Sequence, residues 1–146
     1  CRISKDKIWV RSNITHADIT VMIDPLLLNQ GVIDQLKNER SILLVNTNKT
    51  KEEIQANYNF SNKKNVKIGV VDLFKISEDI GLLNSEKQPI VNTSILGALI
   101  SIHPKLGISL ENLSKSILNR FGDNPKSRLN IKAAQIAAES VDIMEV

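Results

Sequence analysis

Asp24, Asn46 and Asp72 each close a stretch of apolar, β-prone residues, and this shared placement is the first hint of chemistry. If those stretches are parallel strands, the three polar side chains fall on one sheet edge, the carboxyl edge, where open α/β folds bind ligands. One reading is a polar rim around a ligand or a partner. The other is that each residue caps a helix or makes a turn, which the neighbouring residues suit. A phospho-acceptor domain also gathers acids at this edge, but it needs a close acidic pair on the first strand and a lysine on the last. Neither is visible. No G-x-x-x-x-G-K-[ST] or G-x-G-x-x-G run is present to cradle phosphates. His16 and His103 lie far apart, and neither has a Ser or Cys partner in a recognisable motif, so nucleophilic catalysis finds no support. His103-Pro104 reads as the end of a helix, because the residue before proline disfavours helical geometry. No catalytic residue is assigned.

Metal chemistry is similarly constrained. One Cys and two His cannot complete a tetrahedral zinc site without acidic help. An iron–sulfur cluster wants about four ligands, more than this chain's single thiol provides. That lone Cys also excludes an internal disulfide. Nineteen basic against sixteen acidic side chains leave a net charge of +3, too near balance to point to nucleic acid. Lys63, Lys64 and Lys67 with Arg40 could attract phosphates, but only Tyr58 and Phe60 stand nearby to stack on bases, so a solvated basic loop is the expectation. The apolar runs fall well short of the ~20 residues a membrane span requires. A length of 146 residues suits one domain. The chain begins at Cys1 and runs directly into a β-prone stretch, and it is read as a fragment or processed chain whose upstream part is missing.

The elements that would position these residues alternate. Arg2–Ile3 and Ile8–Arg11 flank the polar turn Ser4-Lys5-Asp6-Lys7 and predict an N-terminal hairpin. Ala17–Ile23 predicts a strand ending at Asp24-Pro25, an N-cap followed by proline at the first helical position. The next helix is interrupted by Gly31 and is firmest over Val32–Asn38. Ser41–Val45 and Val66–Val71 are apolar almost throughout, the pattern of strands buried on both faces. Between them, Thr50-Lys51-Glu52-Glu53 offers a capping box, and Asn57–Lys64 reads as an exposed loop. A helix is expected from Asp72 toward Gly81, another over Thr93–Ile102, a third capped by Ser109 and a last one from Ser127 to about Val141. The fold class is therefore α/β: a three-layer α/β/α domain with a mostly parallel sheet, an N-terminal hairpin and a helical C-terminal third.

The most specific local pattern is Pro89-Ile90-Val91-Asn92-Thr93-Ser94-Ile95-Leu96-Gly97-Ala98. Asn92 or Thr93 can cap its helix, and Ser94, Gly97, Ala98 and Ser101 form a small-residue stripe. Glycine inside a helix costs about 1 kcal/mol relative to alanine, so another backbone or a ligand must come close there. A helix–helix or helix–sheet contact within the domain is the favoured cause. Ala133, Ala134, Ala137 and Ala138 give the last helix a similar surface.

Taken with Asn130-Ile131-Lys132-Ala133-Ala134, Asp24-Pro25, Ile42–Thr47 and Val71-Asp72, this pattern resembles the gamma subunit or domain of 2-oxoacid:ferredoxin oxidoreductases, nearest the pyruvate and branched-chain type. Order and spacing agree over essentially the whole chain. Leu26 stands where the family more usually has Thr, Asn57–Asn65 is longer, and His103-Pro104 replaces a Gly-bearing turn. The family's upstream strand and G-x-G-G-Q-G loop are not in these residues, so 1–146 is expected to be a single gamma-type domain lacking its N-terminal Gly-rich segment.

The resemblance implies a non-catalytic subunit of a cytoplasmic complex that converts a 2-oxoacid such as pyruvate, with coenzyme A, to acyl-CoA and CO2 while reducing ferredoxin. It implies thiamine diphosphate, Mg2+, [4Fe–4S] clusters and coenzyme A in the complex, with none bound by this chain alone. Partners would be alpha-, beta- and delta-type subunits, and ferredoxin through them, with no nucleic acid and no membrane. Asn92, Thr93, Asp24, Asn46 and Asp72 become candidates for coenzyme A or interface contacts. A stand-alone α/β binding domain is the alternative, and co-purification with thiamine-binding subunits discriminates the two.

Overall fold

The computed structural model describes residues 1–10 and 12–146. Strand β1 (Ile19–Met22) leads through a 3-10 turn (Pro25–Leu27) and helix α1 (Gln30–Asp34) to β2 (Ile42–Asn46). Helix α2 (Lys51–Asn57) then precedes β3 (Lys67–Val71), and α3 (Leu73–Asp79), α4 (Ser94–Ile102), α5 (Leu110–Phe121) and α6 (Pro125–Ser140) follow before β4 (Asp142–Glu145). The strands form a sheet in the order β1-β2-β3-β4. β1, β2 and β3 are mutually parallel, and β4 runs antiparallel to β3.

Strand alternation sorts the core onto two faces. Leu43 and Val45 of β2, with Ile68 and Val70 of β3, face Ile33 of α1 and Ile54 of α2. Leu44 and Val71 turn the other way, to Leu73 of α3, Ile95 and Ala98 of α4 and Ala137 of α6. Helices on both faces explain why β2 is apolar along its whole length: every one of its residues is buried. On the second face Gly69 lies opposite Leu44. A Cβ at Gly69 would stand 2.7 Å from Ile102 Cδ1, so the C-terminal end of α4 rests directly on the sheet. Helix α5 forms an outer layer, with Leu113 and Ile117 against Ala134.

Local signals account for most of the helix starts. Thr50 and Glu53 form the reciprocal capping box, Ser109 accepts from Asn112 N, and Asn124 accepts from Ser127 N. Three expectations change. The hairpin over 2–11 is absent among the described residues, and Arg11 lies outside them. Residues 1–10 carry no strand; Arg2 instead donates to the carbonyls of Ser12 (2.6 Å) and Asn13 (3.2 Å). Nothing buries Ile3 or Trp9, which are 85% and 76% exposed, so β-propensity there has no packing to act on. The helix expected over Val32–Asn38 is instead Gln30–Asp34, because Asn29 caps it through Val32 N and places Gly31 inside the first turn. The C-terminal third is not helical to its end: β4 completes the sheet.

That last strand is pinned from two sides. Val66 and Val146 exchange backbone hydrogen bonds of 2.8 and 2.9 Å, and Lys51 Nζ lies 2.5 Å from Asp142 Oδ1. The hydrogen bond to Asp142 raises the Lys51 pKa. A raised lysine pKa contributes stability that is complete below the unfolded value of about 10.4 and is lost as pH rises through the folded value. The pair therefore acts throughout the neutral range. Lys51→Met is expected to speed amide exchange across Asp142–Glu145 at neutral pH and leave β2 protected. Unchanged exchange in β4 would show that the backbone ladder alone holds the strand.

Candidate functional site

The three parallel strands bring Asp24, Asn46 and Asp72 to a common edge, and each is occupied by the fold. Asp24 accepts from Leu26 N at 3.0 Å and caps the 3-10 turn. Asp72 accepts from Lys75 N at 2.9 Å and caps α3. Asn46 does something the strand pattern does not announce. It is 0% exposed, donates through Nδ2 to the Ile23 carbonyl at 2.9 Å, and accepts from Leu73 N at 2.8 Å. One side chain thus joins the end of β1, the end of β2 and the first turn of α3, and it satisfies one of the orphan donors at that helix start.

Asn92 and Thr93 immediately precede α4. Asn92 is exposed, and its side chain has no hydrogen bond among the described residues. Thr93 occupies the N-cap position of α4 without capping it. Its hydroxyl is hydrogen-bonded to Asn130 Oδ1 on α6, and Asn130 Nδ2 donates to the Lys126 carbonyl at 2.9 Å. Four residues on, Gly97 meets Ala134: a Cβ on Gly97 would lie 1.9 Å from the Ala134 carbonyl oxygen. Helices α4 and α6 therefore run side by side in the same sense, backbone against backbone. The two most specific sequence patterns, Pro89–Ala98 and Asn130–Ala134, are two halves of one contact. The approach that Gly97 demands is to a helix of the same domain.

The lead into α4 is held as well. Ser77 Oγ donates to the Ile90 carbonyl at 2.7 Å, and Ser94 Oγ to the Val91 carbonyl at 2.9 Å. At the start of α6, the Arg128 guanidinium bonds both carboxylate oxygens of Asp123 and lowers the Asp123 pKa.

The remaining sequence candidates fall into structural roles or stay apart. Lys63 Nζ reaches the carbonyls of Asp34 (3.1 Å) and Leu36 (2.6 Å), closing the C-terminal end of α1. Tyr58 and Phe60 pack onto the core, and Tyr58 Oη donates to the Leu28 carbonyl at 3.0 Å, so they offer no stacking platform. His16 Nδ1 lies 3.2 Å from Thr15 Oγ1, and His103 has no side-chain hydrogen bond among the described residues. Nor do three His, Cys, Asp or Glu side chains converge among them. No helix there is long and apolar enough to cross a membrane.

Residues 1–140 match the family model for pyruvate ferredoxin/flavodoxin oxidoreductase. The chain belongs to that family. The gamma subunit common to the pyruvate and ketoisovalerate oxidoreductases of Thermococcus litoralis is 33% identical over 147 residues, covering 99% of this chain and 72% of the relative. The pyruvate synthase subunit PorC of Thermotoga maritima is 38% identical over 122 residues, 83% of this chain and 57% of that one. The crystal structure of the pyruvate oxidoreductase subunit PORC from Thermotoga maritima superposes with a TM-score of 0.73 at 31% identity, covering 90% of this chain and 67% of the other. Family membership favours the oxidoreductase subunit over a stand-alone binding domain.

Proposed function

We propose that this chain is the gamma-type subunit of a 2-oxoacid:ferredoxin oxidoreductase, supplying assembly and coenzyme A-side contacts while the reaction centre lies on other subunits. The observation that carries the reading is the family match over residues 1–140. The division of labour is supported by how the carboxyl edge is used: Asp24 and Asp72 each give Oδ1 to a backbone cap, and Asn46 gives both its amide oxygen and its amide nitrogen to backbone partners. Asn46, fully buried, is not free to bind a ligand without unmaking these contacts. Thiamine diphosphate with Mg2+, and the [4Fe–4S] clusters that pass electrons to ferredoxin, then belong to alpha-, beta- and delta-type partners in the cytoplasm. The overall conversion is a 2-oxoacid such as pyruvate plus coenzyme A to acyl-CoA and CO2.

Of the five candidates, Asn92 is the one whose side chain is both exposed and unengaged, so it is assigned to the interface, with Thr93 holding its backbone in place through Asn130. Asn92→Ala is expected to change the stability of the chain by no more than about 0.5 kcal/mol, since the side chain is exposed and makes no hydrogen bond among the described residues. In the assembled complex it is expected to weaken subunit association or to raise KM for coenzyme A. Titration of the variant complex with coenzyme A, alongside its sedimentation, reads both effects. Wild-type values in both would remove Asn92 from the interface.

A further inference from the structure

We draw no further inference here: the strongest candidate, the exposed apolar side chains Ile23, Leu26, Leu27 and Phe74 at the carboxyl edge of the sheet, carries nothing because nothing in the structure shows what covers them.

Discussion

Gly97→Ala is expected to destabilise the protein by about 3 kcal/mol or more, at or beyond the upper end of what overpacking a core usually costs. In an isolated helix the same change would stabilise by about 1 kcal/mol. Here the added carbon falls 1.9 Å from the Ala134 carbonyl oxygen and 2.6 Å from its carbonyl carbon. The obstacle is backbone, which cannot swing aside as the end of a flexible side chain can. Helices α4 and α6 must separate, which loosens the Thr93–Asn130 hydrogen bond and exposes Ile95, Ala98 and Ala137. Steric cost therefore outweighs the gain in helix propensity. Urea unfolding reads the difference, and Gly107→Ala is the control. Gly107 has φ +71 with nothing near its Cβ position, so that change costs only the left-handed strain of about 1 kcal/mol. If Gly97→Ala were as stable as the parent, α4 and α6 could not be in backbone contact.

The second large effect is at Asn46. Asn46→Asp replaces a buried amide that donates to the Ile23 carbonyl with a group that, when ionised, only accepts. The Ile23 oxygen loses its donor and faces a buried negative charge, while Leu73 N keeps an acceptor. The expected loss at neutral pH is about 3 kcal/mol. Protonation restores a donor, because a neutral carboxyl group can give its hydrogen to Ile23 and still accept from Leu73. Burial and the opposing carbonyl therefore raise the carboxyl pKa in the folded state above the unfolded value of about 3.9. A raised pKa contributes stability that is complete below the unfolded value and lost as pH climbs through the folded one. The deficit relative to the parent should thus be full at neutral pH and shrink on acidification. Unfolding free energies of the two proteins, compared at matched pH, test this. A deficit independent of pH would mean that the side chain at 46 escapes to solvent.

These two positions also show what local patterns can and cannot convey. The cost of a helical glycine announces a close neighbour, and the small side chains from Ala133 to Ala138 are the matching surface; only the pairing of the two awaited the fold. Asn46 could be recognised as the polar end of a strand, yet its partners lie 23 and 27 residues away, and no local rule names them. Caps were readable for the opposite reason: Thr50, Ser109 and Asp24 act within three residues of themselves. Strand β4 carries no local signal: Asp142-Ile143-Met144-Glu145 is short and charged at both ends, and it is held by β3 and by Lys51 from 91 residues earlier. The hairpin expected near the N-terminus failed in the converse way, since two brief β-prone runs had no surface to bury themselves against. The resemblance drew its strength from the segments that pack most tightly, Pro89–Ala98 and Asn130–Ala134. Within them Thr93, Gly97, Asn130 and Ala134 serve the α4–α6 contact, a packing role rather than a catalytic one.

The claim that this chain works as one subunit of a larger oxidoreductase is tested most directly by anaerobic purification through an affinity tag on the full chain from its native cells. The expected result is a stoichiometric complex that carries bound thiamine diphosphate and iron–sulfur clusters and reduces ferredoxin when given a 2-oxoacid and coenzyme A. Recovery of the chain alone, with the thiamine-binding subunits fully active in the unbound fraction, would contradict the account.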